Sequence, residues 1–144
     1  MNRIYLDDVR TPIDKDWIVV RNYDEFCQTV TEIGLENIDV ISLDHDLGPS
    51  AMNEYFQNVY PNYQLDYNNI AEKTGMDCAK WLVQHFYDIN EGKTWARGSE
   101  INFPNVYVHS ANPIGSGNMM GYINNFLMNE GQPQTCVRVR IEHT

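Results

Sequence analysis

Three polar clusters hold residue types that carry acid–base, metal and phosphate chemistry: Asp7-Asp8, Asp44-His45-Asp46 and His109-Ser110-Ala111-Asn112. Each stands where a short apolar run stops. Carboxylates gathered within a few ångströms repel one another, and protonation or a cation must relieve the repulsion. Hard oxygen donors at this density suit Mg²⁺ or Mn²⁺, with waters and a phosphate oxygen completing the octahedron. Asp7, Asp8 and Asp44 are therefore the expected metal ligands. His45 and His109 suit such an ion less well. They are better cast as acid–base or phosphate-orienting groups, because imidazole titrates near neutrality. Taken singly, each piece has a plainer explanation. Asp7-Asp8 reads as a turn, Asp44 and Asp46 as loop acids or helix caps, His109 as a satisfied buried histidine and Ser110 as a cap. The functional reading gains because all of them fall at the same end of the predicted sheet.

Residues 3–6 form a short apolar strand signal, followed at 17–20 by WIVV and at 38–43 by IDVISL. NVYV at 105–108 is a fourth strand, and VRVRI at 137–141 alternates with period two as a fifth. Asn22 with Glu25 three positions on reads as a helix cap with its capping-box acid. Phe26, Val30 and Ile33 follow at helical spacing, and Gly34 supplies the stop. Gly75 precedes a second helix with the stripe Ala79, Leu82, Val83 and Phe86. A polar loop with Gly92 and Gly98 follows. Gly115 and Gly117 open a third helix, with Met119, Ile123, Phe126 and Leu127 as its apolar side and Gly131 and Pro133 at its end. Residues 49–72 break the rhythm and carry Tyr55, Phe56, Tyr60, Tyr63 and Tyr67. The stretch far exceeds the ~2–6 residues of an ordinary βα loop. Two readings stand: an insertion packed on itself, or a lid beside the site. Strands alternating with helices predict a doubly wound α/β fold with a mainly parallel five-stranded sheet. Such sheets bind ligands outside the carboxyl ends of their strands.

The 144 residues fit one domain, 1–144, with 49–72 inserted. Twenty acidic residues against ten Lys plus Arg give a formal net charge of −10. That balance argues against a grip on duplex DNA or an anionic membrane. It leaves room for a small phosphorylated ligand, or a nucleic-acid end, held through a metal that inverts the local sign. Cys27, Cys78 and Cys136 are odd in number and form no CxxC, so neither a disulfide framework nor a zinc site is indicated. No apolar run approaches the ~20 residues of a membrane span. The N-terminus enters a strand with no signal-peptide pattern, and a cytoplasmic protein is expected.

The order of these residues resembles the receiver domain of two-component signalling. The resemblance implies a flavodoxin-like fold. It makes Asp7 and Asp8 the metal-binding acids, Asp44 the phospho-acceptor and Ser110 the matching hydroxyl residue. Gly75-Met76 resembles the opening of the receiver helix after the acceptor loop. There are departures. The last strand offers Arg138 and Arg140 where receivers carry a Lys. Only about ten residues separate Asp7 from Trp17, so the first helix is shortened or missing. The insertion and His45 are also foreign to ordinary receivers. The strings LDDVRTP, SLDHDLG and VHSANPIG, spread from Ile4 to about Phe126, resemble more closely the cyclic-phosphate-processing receiver family of bacteria and phages. That resemblance implies action on cyclic phosphate ends or related phosphoesters.

One function follows as an enzyme: a Mg²⁺-dependent phosphoesterase, a hydrolase of cyclic phosphate or nucleotide substrates. Asp44, His45, His109 and Ser110 would be catalytic, with the two histidines as general acid and base. Arg10, Asp46 and Asn112 would bind substrate, Arg10 as a bidentate phosphate clamp. Ser110 would also bond phosphate oxygens, and tyrosines of the insertion would stack on a base. The receiver resemblance adds Asp44 as a covalent nucleophile. The alternative is a non-catalytic signalling or binding module. Asp44 would accept phosphate, or the chain would act as a phage-encoded inhibitor of a protein partner. The missing Lys weighs against standard phosphorelay.

Overall fold

The computed structural model describes residues 1–91 and 102–144; the predicted loop with Gly92 and Gly98 lies outside them. Strands β1 (Asn2–Leu6), β2 (Trp17–Val20), β3 (Ile38–Leu43), β4 (Asn105–Val108) and β5 (Val137–Arg138) all pair in parallel, in the order β2-β1-β3-β4-β5. This is the doubly wound, flavodoxin-like order expected from the sequence. The chain starts mid-sheet and winds outward both ways, so the topological switch lies between β1 and β3.

Three helices form one layer: α1 (Tyr23–Ile33), α4 (Gly75–Ile89) and α5 (Pro113–Asn129). Their stripes bury Phe26 and Val30, then Ala79, Leu82, Val83 and Phe86, then Met119, Ile123, Phe126 and Leu127. All meet Ile4, Leu6, Ile41, Leu43, Val106 and Val108 of the sheet in a single core. Each such side chain contributes about 1.5–3 kcal/mol on burial. The cap signals hold. Asn22 accepts from the Glu25 amide at 2.8 Å, and the Glu25 carboxylate accepts from the Arg21 amide at 2.7 Å, one residue earlier than a capping box requires. Thr74 and Asp77 form the full reciprocal box at α4. Gly34, at φ 87°, closes α1 in the region that favours glycine.

The opposite face is built differently. No helix joins β1 to β2, as the short spacing predicted. Residues 7–16 cross without regular structure, and Arg3 pins them through Asp14 at 2.6 Å while its guanidinium lies 4.6 Å from the Trp17 ring. The fifth strand is shorter than the predicted 137–141. Only Val137 and Arg138 pair in register with β4, which ends at Val108; the Val139 amide still donates to Val108 O at 2.8 Å before the chain leaves the sheet. The chain then turns across the carboxyl edge and pairs antiparallel with residues 11–13: Ile13 donates to Glu142 O at 3.0 Å and Thr144 to Thr11 O at 3.0 Å.

The insertion comprises α2 (Pro49–Glu54), a π turn (Tyr55–Val59), α3 (Tyr60–Asn62) and a 3-10 turn (Tyr67–Asn69). It packs on itself. Buried Glu54 accepts from Asn58, Asn69 and the Asp66 amide at 2.7–2.9 Å, and Glu72 accepts from Ser50 and the Ala51 amide. Phe56, Tyr60 and Tyr63 stay exposed. Among the described residues, no helix is long and apolar enough to cross a membrane.

Gly75 opens α4 against the acidic strand end. Its amide donates to His45 O at 2.9 Å, and a Cβ added there would lie 1.9 Å from the Asp44 carbonyl oxygen. Gly121, inside α5, has nothing within 4 Å of such a Cβ. Gly75→Ala should therefore destabilise the protein by about 2 kcal/mol or more through overpacking. Gly121→Ala should stabilise it by about 0.5–1 kcal/mol. Urea unfolding of the two variants checks this, and equal effects would contradict it.

Candidate functional site

The parallel ladder continues one step beyond each strand. Asp7 N donates to Val20 O at 3.1 Å, Asp44 N to Leu6 O at 3.0 Å and His109 N to Leu43 O at 3.0 Å. These bonds set Asp7, Asp44 and His109 side by side at the switch point, on strands ~4.8 Å apart. The alternation that turns Leu6 and Leu43 into the core turns Asp7 and Asp44 the other way. Oxygens of Asp7, Asp8 and Asp44 lie within 4.8 Å of one another.

Environment separates the carboxylates. Asp7 is fully buried. Burial alone would raise it. The His109 contact, the Arg10 and Val9 amides at 2.8 and 3.1 Å and the Arg10 charge outweigh that and hold it well below the usual carboxylate range. Asp44, 5% exposed, is pushed up to about 7 by burial and then by the neighbouring Asp7 charge. Arg10 and Ser110 pull against this. Asp8, half-buried, is raised by the same two causes.

Arg10 bridges the pair. Its Nε donates to Asp7 Oδ2 at 2.8 Å, and its Nη2 lies 3.4 Å from His109 O and 3.7 Å from Asp44 Oδ1. The guanidinium, 36% exposed, keeps further N–H groups toward solvent. Arg21 at the end of β2 holds the loop from below, donating to the carbonyls of Asp7 and Arg10 at 3.2 and 2.6 Å.

His109 sits under the carboxylates. Tyr5 stacks on its ring at 4.2 Å, and Ser42 Oγ lies 2.7 Å from Nδ1. Nε2 is 3.4 Å from Asp7 Oδ2 but off line, so it has no hydrogen-bond partner. Burial keeps the ring neutral by lowering its pKa, although Asp7 pulls the other way. With Ser42 donating to Nδ1, Nε2 carries the hydrogen and presents it to the anionic carboxylate. The reverse tautomer would set a lone pair against the same charge.

Not all predicted residues converge. The fully buried His45 ring has both nitrogens engaged, Nδ1 with Asp46 at 2.7 Å and Nε2 with the Tyr67 hydroxyl at 2.9 Å. It packs so tightly on α5 that a Cβ on Gly115 would lie 2.3 Å from His45 Cγ. Both ring nitrogens of His45, a residue expected to act as acid or base, are thus taken up by protein partners. Asp46 and Asn112 belong to the same network. Asn112 donates to Asp46 at 3.2 Å and, as the N-cap of α5, accepts from the Gly115 amide at 2.9 Å. These bonds turn inward both side chains, which were expected to bind substrate. Ser110 is buried beside Asp44 and accepts from the Asn112 amide at 3.1 Å.

Sequence reasoning missed Tyr5, Arg21, Ser42 and His143. Tyr5 and Ser42 lie inside the predicted strands 3–6 and 38–43, and Arg21 falls between a predicted strand and the Asn22 cap, where nothing singles it out. His143 carried no signal, because the returning tail brings it in. Its Nε2 bonds the Tyr5 hydroxyl, which lies 3.4 Å from Asp7.

No curated protein and no solved structure matches the chain. The family described as the cyclic-phosphate processing receiver domain matches residues 2–125, a span that takes in every strand end described above except the last. By that match and by its parallel five-stranded sheet, the chain belongs to the cyclic-phosphate processing receiver domain family.

Proposed function

We propose that the protein hydrolyses cyclic phosphate esters with a divalent cation, Mg²⁺ or Mn²⁺, held by Asp7, Asp8 and Asp44. The observation that carries this reading is the meeting of three carboxylates from two neighbouring strand ends within 4.8 Å, with Asp44 raised to about 7 by burial and then by the Asp7 charge. Oxygen-only donors, three carboxylates against the single Arg10 guanidinium, fit a hard cation. Such a cation, when bound, polarises a phosphoryl oxygen and neutralises the charge developing on it.

The chain's own residues complete the site. Arg10 turns free N–H groups outward beside Asp7 and Asp44, where they match two oxygens of a phosphate. The Ser110 hydroxyl is within reach of the same position. His109, its ring buried with Nε2 3.4 Å from Asp7 Oδ2, is a positioning residue: it stands beside the Asp7 carboxylate as an imidazole partner stands beside a metal ligand. In the reaction, water adds to phosphorus and one ring P–O bond breaks. A phosphomonoester and a free hydroxyl result.

RNA ending in a 2′,3′-cyclic phosphate, supplied with Mg²⁺, should be opened to the monoester. Asp44→Asn should lower kcat/KM by about 10²-fold or more. His109→Ala should raise the Mg²⁺ concentration for half-maximal rate by about 10–100-fold, and His109→Gln, which keeps a donor, should recover part of it. No turnover of any cyclic phosphate, together with phosphorylation of Asp44 by a small phosphodonor, would replace this reading with a signalling one.

Asp44 also predicts a stability signature. Its folded pKa, about 7, lies above the unfolded value of 3.8, so the unfolded chain loses its proton first as pH rises. Stability from this group is complete below pH ~4 and declines until pH ~7. In chelator, Asp44→Asn should be more stable than the native protein at pH 7, by on the order of 2–4 kcal/mol. The gap should close toward pH 4. Saturating Mg²⁺ should reverse the order by stabilising only the native protein. Urea unfolding across this range reads the gap, and a constant gap would show that Asp44 is not strained by its neighbours.

A further inference from the structure

The site opens onto a cleft of about 500 Å³ whose lining includes Arg10, His109, Ser110, Arg138, Arg140 and His143. That space exceeds what one phosphate fills and lies in the range of sites for whole organic ligands. The chain has ten Lys plus Arg against twenty acids, and three of its arginines converge here. Arg10 is committed to Asp7. Arg138 and Arg140 make no ion pair or side-chain hydrogen bond among the described residues, although Glu142 is two positions from Arg140. Arg3 and Arg21, by contrast, are both engaged. In so acidic a chain, two guanidinium groups left unpaired on one wall form a local positive field next to a site for phosphate.

Their spacing is also informative. Arg138 ends β5, and Arg140 follows two positions on along the edge of the sheet. The two are near neighbours in the chain, both are exposed, and both line this cleft. A phosphate seated between Arg10 and Ser110 would leave them free for a further phosphate along the wall. Both lie beyond the family match at 2–125, so this wall is a feature of the chain that the family assignment does not supply.

We infer that Arg138 and Arg140 bind a second phosphate of a phosphodiester chain, so that the substrate is the end of a single-stranded oligonucleotide rather than a mononucleotide. The inference rests on the cyclic-phosphate reading of the carboxylate site. The acidic remainder of the surface keeps duplex DNA away, while a short basic groove suffices for a strand end.

The test measures binding without turnover. A 5′-fluorescein uridine pentamer ending in a 3′-phosphate is titrated with the protein in Mg²⁺ and followed by anisotropy, and uridine 3′-monophosphate is measured by competition. The pentamer should bind at least about tenfold more tightly than the mononucleotide. Arg138→Gln/Arg140→Gln should abolish that advantage and flatten the slope of log K against log salt by roughly 0.7, the value for one single-strand phosphate contact. Lys80→Gln, an exposed charge loss on α4, should change neither. Equal binding of both ligands, or an undiminished pentamer affinity in the double variant, overturns the inference while leaving the carboxylate site standing. Failure of both ligands to bind overturns the two together. Arginine-dependent binding of the pentamer without cyclic-phosphate turnover supports the cleft and counts against the proposed reaction.

Discussion

Two buried carboxylates that cannot move apart govern this structure. The backbone bonds that carry the ladder past Leu6 and Leu43 fix Asp7 and Asp44 on adjacent strands, and the core behind them fixes the strands. Side-chain rotation alone does not separate charges rooted so closely. The chain resolves the conflict by unequal treatment. Asp7 receives two amides and the Arg10 guanidinium and stays ionised, whereas Asp44 has fewer donors and rises to about 7. Paired carboxylates whose environments push their proton affinities apart are a recurring mark of sites that handle charge. Here the asymmetry comes from a single loop, since Val9 and Arg10 both follow Asp7 directly.

That loop also answers the missing lysine. In the resemblance, a cation from the last strand reads the phosphoryl group. Here β5 is two residues long and exposed, and the nearest cation, Arg10, reaches in from the opposite side of the site. Arg21 holds the loop's carbonyls and so sets where Arg10 stands. The cost of keeping a guanidinium near buried acids is small because its outer nitrogens remain hydrated.

What was legible in the sequence follows from locality. Helical stripes, caps and the ends of β1, β3 and β4 were readable because each depends on residues three or four positions apart, or on where an apolar run stops. The convergence of Asp7 with Asp44 was readable because strand order in this topology leaves few alternatives. The direction of His45 was not. It follows Asp44 immediately, and the ring goes down under α5, where Asp46, Tyr67 and Gly115 hold it. Nothing local marks that choice, and Tyr67 lies in an insertion whose path has no periodic signal. The length of β5 was misread because alternating Val and Arg satisfies a period of two whether or not a neighbour exists to pair with.

The two faces of the sheet close by different means, and this bears on what the site can hold. On one face three helices seal an apolar core. On the other, an irregular crossover and a returning tail do the covering, joined by backbone bonds at residues 11–13. A helix placed there would need an apolar stripe and would bury the strand ends beneath it. An extended tail needs only backbone partners, so its side chains are free to be polar. Arg140 and His143 arrive this way beside Arg138 at the end of β5, and Tyr5 gains in His143 a partner for a hydroxyl otherwise sealed beside Asp7. The loss of helical cover therefore has a chemical counterpart: it replaces an apolar surface with a basic wall along the carboxylate site.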